Sequence, residues 1–355
     1  MGVPVIVSGG KIINALKSNG HLLKAFYYTG GYFILDALFD KKGVYILCYH
    51  RLSDQEPGSA HDPLSVDYRT FEKHLAYLER RYELVGMDQA AELLSRGEKL
   101  KKRYAVVTFD DGYRDNYLYG REIFRRYGVK PTIFLTAGKI EERSWLWHDR
   151  IEYMVFASEK GDVTIDTAGI RGLFPLHTEE ERRRLADALM EAVKRVDESA
   201  KNKVLDDLAG ALEVRVPEQS RRLLDWDEAG SLAEAGADMG GHTMNHPILS
   251  RLPAEEMRRE IADCKRLVEE RMGKEVRHFA YPNGKPGDYT QESVAELKKL
   301  YRTAATTVMG VNLPGGNLYE LRRILIGKDA DILKFKFKLL QAKISRTLHH
   351  AALQG

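Results

Sequence analysis

The sequence predicts an α/β fold built on a parallel sheet or barrel. Three observations carry that reading. β-Branched and aromatic runs alternate with amphipathic helical patterns between residues 43 and 330. The chemically dense segments fall at the ends of those runs, where α/β folds keep their reactive groups. With 43% hydrophobic and 30% charged residues among 355, the chain can bury a core without disulfides.

The elements follow in order. Val44 to Tyr49 reads as a buried strand. Phe71, Leu75 and Leu78 recur at i, i+4, i+7 and predict a helix to Arg81. Asp88 is the expected N-cap of a second helix. Tyr104 to Phe109 predicts a strand, Asn116 to Tyr127 a helix and Lys130 to Leu135 a strand. Residues 144–225 break the rhythm with a charged, helix-prone stretch, expected to be a helical insertion that walls or covers the substrate cleft. Trp226 to Ala235 is helical, Met239 sits on a short strand, and Pro253 to Arg271 forms a long helix. Glu275 to Tyr281 reads as a strand, Gln291 to Leu300 as a helix and Thr303 to Thr307 as a strand.

Charge and cysteine usage exclude several classes. The 55 Lys and Arg against 52 Asp and Glu argue against a nucleic-acid binder. Cys48 and Cys264 lie too far apart for a disulfide scaffold or a cysteine-rich zinc module. The basic excess sits on two arms. Residues 1–42 carry five lysines against two aspartates, and residues 331–355 carry four lysines and Arg346 against Asp331. The longest uncharged run of the first arm, Ala25 to Leu35, is too short to span a bilayer. No secretory-signal order is present, so a cytoplasmic protein is expected. The arms either lie on anionic lipid at the cytoplasmic membrane face or pack as ordinary helices on the body. Periodicity leaves both open.

Three segments carry chemistry. Thr108-Phe-Asp-Asp-Gly112 places two carboxylates side by side at a strand's end. They repel unless a cation or a shared proton relieves them. A metal would make one a ligand and the other a base; the alternative is a plain polar turn. Gly240-Gly-His-Thr-Met-Asn-His-Pro247 sets two imidazoles four apart, able to face one point. Two His and one Asp would form an open three-ligand set; the alternative is a surface histidine pair. Arg277-His-Phe-Ala-Tyr-Pro-Asn-Gly284 runs a strand into a turn whose amides could donate to an oxyanion, or serve as a turn alone.

In this order, TFDDG and HTxxHP resemble the motifs of the polysaccharide deacetylase family, carbohydrate esterase family four, which shares the NodB homology domain. The resemblance covers roughly residues 43–330. It implies a distorted (β/α) barrel, here carrying the helical insertion 144–225 between amphipathic arms. It implies metal-dependent hydrolysis of an N-acetyl, or occasionally O-acetyl, group on a sugar; if the arms bind membrane, a lipid-linked or surface-polysaccharide precursor is the expected substrate. By position, it implies Asp110 as base and Asp111, His242 and His246 as ligands of a divalent ion, Zn²⁺ first and Co²⁺ second. It implies the Asn283 amide as oxyanion donor. Many members orient the base with an arginine where this chain has Ala280, with Arg277 three residues earlier. No late L-x-H histidine follows Ile326, and His349 and His350 lie in the tail. Some related deacetylases carry the equivalent strand at the N-terminus, so the resemblance makes His50, closing the first strand, the candidate acid; the alternative is a hydrogen-bonded histidine that only caps that strand. Trp147, Tyr281, Pro282 and Arg277 are the candidate substrate contacts. Trp145 and Trp226 either stack on sugar or fill the core. His148 and Asp149 are expected beside the cleft. Arg322 and Arg323 either bind an anionic group of the substrate or pair with acids of the barrel. Two other activities fit the same residues: hydrolysis of a non-sugar amide, and glycan binding without catalysis.

Overall fold

The computed structural model describes residue 16 and residues 19–54, 62–220 and 222–352, with side chains to residue 345. Most of segment 1–18 of the first arm, and the side chains of His349 and His350, lie outside the described residues.

Two short helices come first, α1 (Gly20–Tyr28) and α2 (Gly31–Leu38). Next come β1 (Val44–Tyr49), β2 (Arg51–Ser53), β3 (Ser65–Asp67), α3 (Tyr68–Arg81), β4 (Glu83–Leu84), α4 (Met87–Ser95) and β5 (Tyr104–Phe109). A π-helical turn, Asn116–Gly120, runs into α5 (Arg121–Tyr127), followed by β6 (Thr132–Leu135) and α6 (Ala137–Glu141). The insertion holds α7 (Trp147–Ala157), β7 (Asp162–Thr167), β8 (Ile170–Pro175), α8 (Glu179–Val193) and α9 (Glu198–Leu212). The alternation resumes with α10 (Trp226–Glu234), β9 (Asp238–Gly241), α11 (Ala254–Met272), β10 (His278–Ala280), α12 (Gln291–Leu300), β11 (Thr303–Ala305), β12 (Arg323–Leu325) and α13 (Ile332–Ala352).

The strands pair in the order β11-β10-β9-β6-β5-β1-β12, every neighbour parallel, with β4 beside β5. A parallel bridge from Ala305 to Leu321, with neighbouring backbone hydrogen bonds, brings the two ends together. The result is a nearly closed seven-stranded (β/α) barrel. β1 is buried at every position, as a parallel strand between two apolar layers must be.

Several expectations are revised. Gly86, not Asp88, precedes α4; Asp88 sits in its first turn and binds His278, Arg277 and Arg302. The insertion is not wholly helical. β7 and β8 form an antiparallel hairpin, turned by Ala168 and Gly169 with φ of 53° and 77°. The insertion has its own core, built from residues such as Ile151, Val163, Ile165, Leu189 and Leu208. β12 carries no periodic signal because it is three residues long, yet it completes the barrel.

The lysines of the last arm turn inward. The K-F-K-F-K run is helical, so Lys336 and Lys343, seven apart, share one face. Lys343 is fully buried and paired with Asp36 of α2. Lys336 donates to Tyr27 Oη at 2.8 Å, and Lys338 donates to the Leu325 carbonyl at 2.8 Å. Phe337, Leu340 and Ile344 pack on Leu16, Leu23 and Tyr32. The arm's positive charge thus clamps the first helices to the barrel.

His74 of α3 ties β1 to the start of α13. It is fully buried, and its ring stacks on Phe335 at 3.9 Å. The Ala330 carbonyl can only accept, so Nε2 carries the proton that donates to it at 2.8 Å; Nδ1 then accepts from Tyr49 Oη at 3.1 Å. Burial pushes the imidazole down to about 3, against an ordinary value of 6.5. Below pH 6.5 the unfolded chain takes up a proton that the folded chain refuses. This group's share of stability is therefore lost at about 1.4 kcal/mol per pH unit as pH falls below 6.5. In urea unfolding at pH 5 and pH 7, the wild type should lose about 2 kcal/mol more than His74→Gln, which keeps a donor and an acceptor but no titration. Equal losses would show that His74 does not set the slope.

Candidate functional site

The site forms where β5, β9 and β10 end. Asp110 follows β5 directly, and its N–H donates to the Tyr49 carbonyl at 3.0 Å, extending the ladder with β1. Asp111 and Gly112 then turn sharply, with φ of 73° and 79°. A Cβ at Gly112 would stand 2.9 Å from Leu135 Cδ2, so both conformation and space require glycine. The turn sends the two carboxylates in different directions. Each residue is only 2% exposed.

Asp110 faces Arg323. Nη1 meets Oδ1 at 2.6 Å and Nη2 meets Oδ2 at 2.7 Å, a bidentate pair. Arg323 is wholly buried, and its Nε donates to the Thr306 carbonyl at 2.8 Å. The Cys48 thiol donates to Asp110 Oδ2 at 3.4 Å, and His50 Nε2 lies 4.0 Å from the same oxygen. Burial opposes the charge on Asp110, but Arg323 outweighs it and holds the carboxyl down at about 2.

Asp111 faces two imidazoles. Its Oδ1 lies 3.3 Å from His242 Nε2 and 3.3 Å from His246 Nε2. His242 Nδ1 donates to the Ala280 carbonyl at 2.7 Å, which turns Nε2 toward Asp111; burial opposes the charge on this imidazole, but Asp111 and Asp110 outweigh it and push its pKa up. Burial pushes His246 well below its ordinary value, so it stays neutral. The Asp111 Oδ1 atom is buried without a hydrogen-bond partner, facing both Nε2 atoms. One carboxylate oxygen and two ring nitrogens so placed fit one metal ion. Donors bound at about 2.0–2.1 Å to a tetrahedral ion stand about 3.3 Å apart, the separation seen here.

The loop that carries the two histidines is strained and tightly held. Thr243 and His246 have φ of 66° and 60°. The His246 N–H donates to Thr243 Oγ1 at 3.0 Å, and the Met244 carbonyl accepts from Gly138 N at 2.9 Å. Glu260 of α11 accepts from the Met244 and Asn245 amides at 2.8 and 2.9 Å and from Asn245 Nδ2 at 2.7 Å. Sequence reasoning missed Glu260; it lies 15 residues beyond Asn245 in an ordinary-looking helix.

A cleft of about 280 Å³ collects His50, Asp110, Asp111, His242, His246, Asn283 and Trp147. As expected, the insertion walls it, through His148 and Asp149 of α7 and Met190 of α8. His148 Nε2 reaches Tyr113 Oη at 3.0 Å and lies 4.0 Å from Asp111 Oδ2. Trp147 is mostly core, 8% exposed, with Lys201 Nζ 5.1 Å over its ring. Trp145 Nε1 donates to the Pro217 carbonyl and Trp226 Nε1 to Glu141, and neither lines the cleft. A larger groove of about 740 Å³ runs beside the cleft and shares only Trp147 with it.

Three expected substrate contacts are corrected. Arg277 precedes β10, so it lies at the opposite end of the barrel, with Nη2 2.7 Å from Asp88 Oδ2. Tyr281 stacks on Tyr289 at 4.2 Å and donates to the Tyr319 carbonyl at 2.9 Å, inside the core. Pro282 is buried and absent from the cleft wall. The alternative left open for Arg323, pairing with a barrel acid, is the one realised.

A model of the polysaccharide deacetylase family matches residues 97–304. The curated protein YxkH of Bacillus subtilis is 21% identical over 283 residues, which cover 79% of this chain and 70% of that one. Among solved structures, the Streptococcus pyogenes deacetylase PplD in complex with acetate superposes with a TM-score of 0.56 at 18% identity, covering 86% of this chain and 99% of that chain. IcaB from Ammonifex degensii gives a TM-score of 0.55 at 18% identity, covering 84% and 98%. These two likenesses concern the fold.

Glu260→Ala should leave two loop amides unpaired, lowering stability by about 1–3 kcal/mol. It should also weaken Zn²⁺ or Co²⁺ binding about 10–100-fold in chelator competition. Unchanged metal affinity would show that the loop holds its shape without Glu260.

Proposed function

The chain belongs to the polysaccharide deacetylase family, and on that premise we propose that it removes N-acetyl groups from a sugar of a glycan or glycolipid. In this reading Asp111, His242 and His246 hold a divalent ion, Zn²⁺ in preference to Co²⁺. The ion supplies Lewis acidity, polarising an acetyl carbonyl and acidifying water.

The chain's own residues do the rest. Water adds to the acetyl carbon, and the Asp110 carboxylate accepts its proton. Arg323 fixes the plane of that carboxylate and keeps it ionised. The Asn283 backbone N–H, which no described acceptor takes, donates to the developing oxyanion. His50 Nε2 delivers a proton to the sugar nitrogen as the C–N bond breaks. Acetate and a free amine leave. The observation that carries this reading is the meeting of a bidentately fixed Asp110 and the Asp111, His242, His246 triad in one cleft.

The test is acetate release from N-acetylglucosamine oligomers with added Zn²⁺ or Co²⁺. Asp110→Asn should lower kcat about 10²–10⁴-fold with metal still bound. His242→Ala should lose both metal and activity, whereas His50→Ala should lose turnover alone. Full activity in Asp110→Asn would remove it from the base role. A wild type silent on these oligomers and on lipid-linked amino sugars would refute the glycan reading.

A further inference from the structure

The first two helices expose a surface that the catalytic reading does not use. Among the described residues seven large apolar side chains stand open to solvent, and five lie on this hairpin. They are Leu22 and Tyr28 of α1 and Phe33, Ile34 and Leu38 of α2, between 48% and 77% exposed. The other two, Leu118 and Leu173, lie singly on separate elements. Tyr28 and Phe33 both pack on the Tyr27 ring, at 5.5 and 5.2 Å, which joins the two helices' contributions.

This exposure is not a failure of packing. The inner side of the hairpin is filled: Leu23 and Tyr32 are buried against α13. The one charge of α2, Asp36, points inward to Lys343. α2 is therefore apolar on both faces, one against protein and one against water. A helix of that character needs a second apolar partner.

We propose that the outer face of the α1–α2 hairpin docks on an anionic lipid bilayer. Charge selects this occupant. The outer apolar strip carries no acid, and beside it lie Lys24, Lys41, Lys42 and Arg103 against one exposed acid, Asp40, which pairs with Lys42 and Arg103. A cationic rim around an apolar strip matches anionic headgroups over acyl chains. In a symmetric contact between two copies the same lysines would face each other and repel. The attachment is peripheral, since no helix among the described residues is long and apolar enough to cross a membrane. The hairpin binds Arg103, just before β5, through Asp36 and Asp40, whereas the cleft lies at the other end of that strand. Docking thus leaves the cleft open to a glycan.

The test uses the full chain and vesicles of phosphatidylcholine, alone or mixed with phosphatidylglycerol. The wild type should sediment with the mixed vesicles, and Ile34→Glu/Leu38→Glu should lower partitioning about tenfold or more. Leu173→Glu should behave as wild type. Circular dichroism and gel filtration confirm that each variant folds. A second measurement leaves the fold alone: Cys48 and Cys264 are both buried, so Leu38→Cys offers one reactive thiol for an environment-sensitive dye. Its emission should shift to the blue on mixed vesicles. Absence of vesicle binding by wild type, equal binding to neutral vesicles, or no dye shift would overturn the proposal. So would a wild-type dimer in lipid-free solution that Ile34→Glu/Leu38→Glu dissociates.

Discussion

A buried guanidinium and a buried carboxylate pair where the two ends of the barrel sheet meet. The barrel's ends meet outside the regular strand ladder, through a bridge between Ala305 and Leu321 and backbone hydrogen bonds such as Thr306 N–H to the Leu321 carbonyl at 2.8 Å and Arg323 N–H to the Val308 carbonyl at 3.0 Å. Arg323, the first residue of β12, spans that seam. It binds the Thr306 carbonyl beyond β11, Thr108 of β5 and the Asp110 carboxylate. Neither charge tolerates burial alone, so each fixes the other. The same contact that closes the barrel also sets the plane of the carboxylate in the cleft. Fold closure and site geometry are one interaction here.

Around that pair the chain accepts strained backbone. Of the seven non-glycine residues with positive φ among the described residues, four are Asp111, Thr243, His246 and Asn283. All four belong to the turns that build the cleft. Each such conformation costs on the order of 1–3 kcal/mol and persists only where surroundings over-determine it. For the histidine loop those surroundings are on view: Glu260 takes two of its amides, Thr243 a third, and the start of α6 its carbonyls. The Asp111, His242 and His246 side chains are thus held in place by the protein alone, which would lower the ordering cost of binding an ion.

Two peripheral layers act on this centre in different ways. The insertion has its own core yet reaches the cleft through α7 and α8. Within it Arg222 bridges Asp149 and Glu152 at 3.0 and 2.8 Å, and Tyr113 Oη, beyond β5, donates to Asp149 at 3.2 Å. The terminal helices meet each other instead of the cleft, through Lys343, Asp36 and an aromatic cluster. Along α13, Lys343 is consumed in a buried pair, and Lys336 and Lys338 are held against the protein by Tyr27 and the Leu325 carbonyl. The open apolar surface belongs to α1 and α2.

Local pattern alone was enough to place the strands at Val44 to Tyr49 and Tyr104 to Phe109, and the Asp110-Asp111 and His242, His246 pairs at strand ends. These signals work because strand period, helix period and turn chemistry act over a few residues. The motif resemblance added the family and the expected roles. What periodicity could not reach was contact between distant segments. Arg323 lies 213 residues from Asp110, on a strand too short to show a period. Arg277 seemed closer to the site in sequence, but a residue before a strand and a residue after it lie at opposite ends of the barrel. Trp147, Tyr281 and Pro282 have the chemistry of sugar contacts, yet neighbouring helices and turns largely bury them. Residue types and spacing determined which groups could do chemistry. Tertiary structure decided which of them met, because barrel closure is a packing event among segments whose order along the chain says little about distance.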